Sequence, residues 1–225
     1  IIHANKTLLA LVGKRDLLIS VHKTRTTEFD FLILVDLQKV SKLNALKDQI
    51  ENILKLTGGT VTNRRYNGVN IIEMRDAESH DVMYSAFIDN HFAVSFTSRL
   101  IEAAIDEREN PQIGLEHAFI EVDKLVANKG LARVFVNYAY LPQFLAIYLG
   151  ERNEFVDMFA NSMDFAGLFL NSEKDKMEVK GYTLLKDVAD PYVAALMHSG
   201  KQKMRAHEIM SARTALYGNM SFDNP

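Results

Sequence analysis

"MYSAFIDNHFAVSFTSRLIEAAIDE" (residues 83–107) contains the succession of elements that decides the fold. Apolar residues alternate on both sides of Asp89 and Asn90, and such a short polar step is typical of two strands joined by a tight turn. An apolar stripe at helical spacing follows, and Thr97 or Ser98 occupies the position of a capping hydroxyl. The stretch therefore predicts a strand, a hairpin loop, a second strand and a capped helix.

The flanking segments contain further hairpins. Residues 16–37 form two alternating apolar runs around a polar loop, and the uninterrupted "FLILV" (31–35) indicates that the second run is an internal strand. Asn67 and Gly68 lie between two more runs, where they fit a type I′ turn. Residues 163–186 predict a longer hairpin. Helices follow groups of strands, so we expect an α+β fold with antiparallel sheets built from hairpins and helices packed on them.

Several helix boundaries are marked by capping residues. Apolar residues over 40–54 recur at three- and four-residue spacing, which predicts an amphipathic helix. In the second half of the chain, Pro142 fits the first turn of a helix and Gly150 its end. Asp190 fits the N-cap of another helix. The tail, over 211–222, predicts a capped segment that runs into one more strand.

A segment rich in charge, Pro and Gly divides the chain. "RENPQIG" (108–114) lies between ordered patterns, as a linker between modules does. We therefore predict a first α+β module over 1–110, made of hairpins plus two helices. A second module over 111–225 contains helices plus a long hairpin. Two such modules fit a loose duplication, although no residue-level repeat is found.

The composition excludes several classes of protein and site. The formal net charge is −3, so no overall positive field attracts nucleic acid. Cysteine is absent, which excludes disulfides, thiol nucleophiles and thiolate metal sites. No apolar run approaches the about 18 residues of a membrane span. No two histidines are spaced as ligands on one strand or helix face, so we expect no metal and no cofactor.

Two histidines are the candidates for catalysis. His22 precedes a hydroxyl-rich loop with Glu28 and Asp30 nearby, and His91 follows the predicted turn in the opening stretch. A hydrolase centred on His22 or His91 is therefore one alternative. No G-x-S-x-G sequence presents a serine on a strained turn, and polar hairpin loops commonly contain such residues for structural reasons.

A dense aromatic segment is the candidate for ligand binding. "FVNYAYLPQFLAIYL" (135–149) supplies rings that fit the lining of an apolar cavity, and tyrosine hydroxyls can orient the polar end of a ligand. This predicts a carrier of a small apolar or lipid-like ligand. The alternative is an ordinary core, where aromatic residues are commonly buried. The candidate ligand-binding residues are Phe135, Tyr138, Tyr140, Phe144 and Tyr148.

The order of strands, turns and helices also carries a family resemblance. It rests on "LLISVHKTRTTEFDFLILVDL" (17–37), "YNGVNIIEM" (66–74) and "AFIDNHFAVSFTSRLIEAAI" (86–105), and continues in "VNYAYLPQFLAIYL" (136–149) and "YVAALMHSG" (192–200). The matching positions are Tyr66, Gly68, Asp89, Asn90 and the run 92–98. This layout resembles an exported bacterial family known only as a domain of unknown function. The resemblance implies a cell-envelope location, on the periplasmic or extracellular side, and no established catalytic residue. Members of that family are usually longer, which implies that this chain is part of a longer protein.

Together, these observations favour a noncatalytic bacterial envelope protein that acts by binding or scaffolding. Its partner would be a protein or a small apolar ligand. The carrier and the hydrolase stay open as alternatives.

Overall fold

A computed structural model of the protein describes residues 15–37, 52, 59–126, 130–173, 176–187, 190–197, 200 and 210–214. The chain divides into two compact units, Ile1–Leu115 and Glu116–Pro225. The helix predicted over 40–54 lies outside the described residues apart from position 52. In the tail, residues 211–214 form a turn, closed by the Thr214 amide donating to the Ser211 carbonyl (3.0 Å), and the predicted strand lies outside the described residues.

The first unit contains a six-stranded antiparallel sheet in the order β1-β2-β6-β5-β4-β3. Helix α1 (Ser98–Glu107) packs against β5 and β6, and a short 3₁₀ turn (Ile113–Leu115) follows it. The antiparallel sheet predicted from the hairpins is confirmed. The strands are β1 (Leu17–Arg25), β2 (Glu28–Asp36), β3 (Thr60–Tyr66), β4 (Val69–Arg75), β5 (Val82–Ile88) and β6 (His91–Ser95).

Two tight turns connect these strands as the sequence predicts. Asn67 and Gly68 have φ of 43° and 79°, which a type I′ turn requires at both central residues. Asp89, with φ of 48°, and Asn90 connect β5 to β6, and His91 begins the outgoing strand. Asp89 tolerates this left-handed conformation because its short polar side chain can bond locally.

The predicted position of the N-cap of α1 is confirmed, but the predicted capping hydrogen bond from a hydroxyl is wrong. Thr97 is the N-cap residue and has extended dihedrals, but its side chain makes no capping hydrogen bond. Instead, the Thr97 amide donates to the buried Ser95 hydroxyl at 3.1 Å. Ser95 therefore holds the chain where it leaves β6 and enters the helix. Removing the Thr97 hydroxyl is not expected to lower the free energy of unfolding through a lost capping hydrogen bond.

Helix α1 is attached to the sheet by apolar packing and by ion pairs. Ile101 and Ile105 are fully buried against a cluster that includes Ile71 of β4 and Ala86 of β5. At the edge of this contact, Arg64 of β3 forms ion pairs with Glu73 of β4 (2.7 Å) and with Glu102 of α1 (2.6 Å). Burial lowers the pKa of Arg64, but the hydrogen bonds and charges of both carboxylates raise it overall. These contacts hold α1 across β3, β4 and β5.

The second unit contains a three-stranded antiparallel sheet in the order β7-β8-β9. Pro142 at the start of α3, Gly150 at its end, and Asp190 bonding the Tyr192 amide (2.9 Å) confirm the predicted boundaries. The elements are α2 (His117–Leu125), β7 (Ala132–Asn137), α3 (Leu141–Leu149), α4 (Glu154–Ser162), β8 (Met163–Glu173), β9 (Lys176–Leu185) and α5 (Pro191–Met197).

Helix α2 covers one face of this smaller sheet. Val122 and Val126 are buried with Phe165 of β8, and Phe119 and Phe135 pack beside them with ring centroids 5.1 Å apart. Both sheets thus carry helices, and the α+β class is confirmed. None of the described helices combines the length and apolar character that a membrane span requires.

Two buried serines provide a matched test of the sheet of the first unit. Ser85 and Ser95 are 1% and 2% exposed, but the Ser85 hydroxyl has no hydrogen-bond partner among the described residues. Ser95 donates to Asp30 (3.2 Å) and accepts from the Thr97 amide. We expect Ser95→Ala to lower the free energy of unfolding by about 1–3 kcal/mol, because it removes a hydrogen-bond partner from the partly buried Asp30 carboxylate and Thr97 amide. Ser85→Ala should be neutral or stabilising.

The measurement is urea unfolding of both variants, followed by far-ultraviolet circular dichroism. Equal destabilisation by the two substitutions would contradict this assignment of the hydrogen bonds.

Candidate functional site

Strand β1 has one paired side and one open side. It forms an edge of the six-stranded sheet, and no described strand lies beyond it. The Asp36 amide donates to the Asp16 carbonyl at 3.0 Å, which makes Asp16 and Asp36 a hydrogen-bonded pair of the ladder. Because hydrogen-bonded and non-hydrogen-bonded pairs alternate in antiparallel sheets, even-numbered residues of β1 bond to β2 up to the irregularity after Lys23. The amides and carbonyls of Leu17, Ile19 and Val21 therefore point outward; these groups are the outer edge of β1.

The side chains along the outer edge are apolar and solvent-accessible. Leu17, Ile19 and Val21 are 46%, 55% and 44% exposed. They share one face of the sheet with Phe31, which lies opposite Val21 and is also exposed. Leu18, on the other face, is exposed as well. The outer edge thus combines backbone groups that pair with no strand of the described ranges with apolar side chains on both faces of β1.

The outer edge of β1 differs from two other sheet edges because it lacks charged side chains. Strand β3, at the opposite edge of the same sheet, carries Arg64 and Arg65. Strand β9, at an edge of the smaller sheet, carries Lys176, Glu178 and Lys180 at alternate positions. Charges on an edge strand oppose pairing with another strand. The segment 17–21 of β1 contains no charge and no proline, so this protection is missing there.

A polar cluster on the α1 side of the sheet includes the predicted catalytic candidate His22. The His22 Nε2 atom lies 2.8 Å from the Ser20 hydroxyl, and Asp30 is the cross-strand neighbour of His22. Burial lowers the pKa of His22, and the charge of Asp30 partly opposes this shift. The imidazole is therefore mainly neutral at pH 7. A neutral imidazole beside a serine hydroxyl is the pair that nucleophilic catalysis requires.

The hydrogen bonds of this cluster nevertheless close within the sheet. The Asp30 carboxylate accepts from the Phe31 amide (2.7 Å) and from the Ser95 hydroxyl (3.2 Å). The Ser20 hydroxyl is also within 3.4 Å of the Leu32 carbonyl. Asp30 therefore bonds to β6 and to its own strand. In a catalytic triad, the carboxylate would instead orient the histidine through a hydrogen bond.

The second candidate histidine, His91, lies apart from this cluster. It is exposed at the start of β6, next to the turn at Asp89, and its cross-strand neighbours are Asp36 and Ile88. The polar residues around it are those of the turn and Asp36 of β2. His91 therefore has a structural place in the hairpin and is not brought together with Ser20 or Asp30.

The predicted ligand-binding aromatics of the second unit fall into separate places. Phe135 of β7 belongs to the core under α2, where the Arg133 guanidinium lies 4.9 Å from its ring centroid. Tyr138 is half-buried in the turn after β7. Phe144 and Tyr148 of α3 pack edge to face, with ring centroids 5.3 Å apart. Tyr140 and Tyr148 are 66% and 61% exposed, so their rings mainly face solvent.

A cavity of this unit lies elsewhere. It is an open groove of about 490 Å³ between the start of α4 and the start of α5, lined by Glu154, Asp157, Met158, Asn161, Ser162, Asp190 and Pro191. None of the five predicted aromatics lines it. Two of its three acidic residues have structural partners, since Arg152 pairs with Asp157 (2.7 Å) and Asp190 caps α5. The part of the chain that the structure describes also contains no group of three histidine or acidic side chains placed to hold a metal.

The site that the sequence analysis missed is the outer edge of β1. Alternation of Leu17, Ile19 and Val21 predicts the strand, but only its pairing with β2 shows which backbone groups stay open. The candidate chemistry is therefore that of a strand with one edge open among the described residues, beside the polar cluster of Ser20, His22 and Asp30. Comparison with known proteins adds no family: no protein-family model, curated protein or solved structure matches the chain.

Proposed function

We propose that the chain is a noncatalytic binding protein of the bacterial cell envelope, and that it binds an extended segment of a protein by adding it as a strand to the outer edge of β1. In strand addition, main-chain hydrogen bonds supply the affinity and alternate side chains supply the selectivity. The observation that carries the proposal is the row of outward amides and carbonyls at Leu17, Ile19 and Val21, flanked by half-exposed apolar side chains.

The rigidity of the sheet supports this proposal. Strand β1 is paired with β2 from Leu17 to Arg25, and β2 is paired in turn with β6, so an ordered ladder presents the edge. A preformed edge reduces the ordering that binding requires, which favours affinity. The envelope location rests on the family resemblance alone. Cell fractionation tests it, and recovery of the native protein in the cytoplasm would contradict it.

The carrier alternative remains a prediction. Its five aromatics divide between a packed core, a turn and the exposed face of α3, so the described residues offer no common lining for an apolar ligand. Strand addition uses groups that the structure does bring together. It is therefore the better-supported form of the binding function.

A short peptide of alternating valine and threonine, with glutamate at each end, tests strand addition. We expect it to shift the amide signals of Leu17, Ile19 and Val21 in NMR spectra of the protein. Ile19→Pro should weaken binding about fivefold or more, because it removes one outward donor whose hydrogen bond is worth about 1 kcal/mol and also restricts the strand. Proline is tolerated at an edge when the lost N–H faces solvent, so the fold should persist.

Ser20→Pro is the matched control for this experiment. The Ser20 amide points toward β2, so proline there should disturb the ladder itself and lower the free energy of unfolding. Ile19→Thr retains the backbone donor and should keep most of the binding. Peptide shifts elsewhere on the protein, or unchanged affinity in Ile19→Pro, would contradict the proposal.

The hydrolase centred on His22 is a second candidate, because the Ser20 hydroxyl lies 2.8 Å from its imidazole. A fluorophosphonate probe, which reacts with activated serines, separates the two functions. We expect Ser20 to remain unlabelled at neutral pH, since Asp30 bonds Ser95 and the Phe31 amide. Labelling of Ser20 detected by mass spectrometry, and lost in His22→Ala, would establish the hydrolase instead.

A further inference from the structure

The face of the six-stranded sheet opposite α1 is buried over its centre. Ile71 of β4 packs in the same cluster as α1, so the next residue, Ile72, points to the other face, where it is 3% exposed. Val35 of β2 and Phe92 of β6 belong to the cluster of Ile72 and are 5% and 7% exposed. Helix α1 cannot cover them, because it packs on the opposite face. A further segment of protein must therefore exclude solvent from this face.

The burial of this face stops at β1. Leu17 is the cross-strand neighbour of Val35, and Ile19 and Val21 point to the same side of the sheet as Leu17. These three side chains of β1 are 46%, 55% and 44% exposed, whereas Val35 is buried. The covering segment therefore begins over β2, extends across β6 and β4, and leaves β1 uncovered.

The connection between β2 and β3 runs over one of the two faces of the sheet. Four antiparallel pairings separate these strands in the order β2-β6-β5-β4-β3, so β2 and β3 are parallel to each other. Crossover connections between parallel strands of one sheet are right-handed in about 98% of cases. The hydrogen bonds of β2 therefore determine which face the connection takes.

The odd-numbered residues of β2 bond to β6, because the Leu37 amide donates to the Asn90 carbonyl at 2.7 Å. When a strand of L-residues runs upward, a residue whose side chain points at the viewer has its N–H and C=O on the right. With β2 upward and Val35 pointing at the viewer, β6 and then β3 lie to the right of β2. A connection that moves to the right in front of the sheet is right-handed. Handedness thus selects the same face as the burial does.

We infer that residues 38–58 cover this face as an amphipathic helix that crosses from β2 to β3. The connection must descend about 23 Å along the strands while it moves about 19 Å across four strand spacings, a diagonal of about 30 Å. A helix over 40–54 spans about 22 Å, and the extended residues on either side of it supply the remainder at about 3.3 Å each. The length of the chain therefore fits the area of sheet that it has to cross.

Of residues 38–58, the structure describes position 52, and this position agrees with the inference. Asn52 is helical and exposed. At about 100° per residue, it lies about 170° from the centre of the apolar stripe of the predicted helix. With the stripe on the sheet, Asn52 faces solvent. The stripe consists of Val40, Leu43, Leu46, Ile50, Ile53 and Leu54.

Methyl NOEs in NMR spectra of the original chain test this inference without a substitution. We expect NOEs from Ile50 and Ile53 to Ile72 and Val94, because packed side chains approach within about 4–4.5 Å. NOEs from the stripe to buried side chains of α1, or none from the stripe to this face, would overturn the inference. So would NOEs that join this face to the second unit or, in a mixture of differently labelled chains, to another copy in place of the stripe.

The absence of cysteine allows a matched test of the cover. Ile71→Cys and Ile72→Cys each place one thiol at adjacent buried positions of β4 that point to opposite faces. We expect Ile50→Asp, which puts a charge into the stripe, to raise the labelling rate of residue 72 by a thiol reagent about tenfold or more. Labelling of residue 71 should change less than about twofold. Asn52→Asp is the control and should change neither rate.

A rise at residue 71 without a rise at residue 72, or unchanged labelling at both, would overturn the inference. Circular dichroism shows whether Ile50→Asp retains the fold of the first unit. If that variant unfolds and exposes both thiols equally, the NOEs of the original chain decide between the two outcomes.

Discussion

The pairing of β2 with β6 is the interaction on which the first unit depends. It joins the amino-terminal hairpin to the β3–β6 segment through cross-strand neighbours such as Ile33 and Val94. The hydrogen bond between Ser95 and Asp30 links residues 65 positions apart in the chain across the same two strands. Once β6 occupies one side of β2, β1 can pair only with the other side. The open edge is thus a consequence of strand order, and the loop between β1 and β2 does not determine it.

The pairing of β2 with β6 also explains why polar residues that resemble a catalytic site have a structural role. Asp30 and Ser95 lie on adjacent strands, and their hydrogen bond satisfies a buried hydroxyl at the entrance to α1. Ser95 then receives the Thr97 amide, so one serine connects β2, β6 and the helix. His22 and Ser20 remain beside this network at the sheet edge. Because these side chains are used within the fold, the proposed strand addition relies on backbone groups.

Local features of the fold could be predicted from the sequence, and long-range features could not. Asn67 and Gly68 specify a turn whatever the surroundings, and Pro142 and Gly150 bound α3 by their own dihedral preferences. The position of β6 beside β2 depends on packing between distant segments, which alternation does not encode. Gly167 illustrates the limit: a Cβ there would lie 2.5–2.6 Å from Val126 and Val122, a constraint visible only once α2 lies on the sheet. The candidate ligand-binding aromatics were predicted because they lie close together in the sequence. The sequence does not show the contacts that place them in different parts of the fold.

Amide hydrogen exchange along β1, measured residue by residue in NMR spectra, tests the open edge most directly. In dilute protein, the account predicts fast exchange at Leu17, Ile19 and Val21 and slow exchange at Leu18, Ser20 and His22, because only the second set bonds to β2. Added peptide should slow exchange at the first set selectively. Equal protection of both sets in dilute protein, or the opposite alternation, would contradict the account.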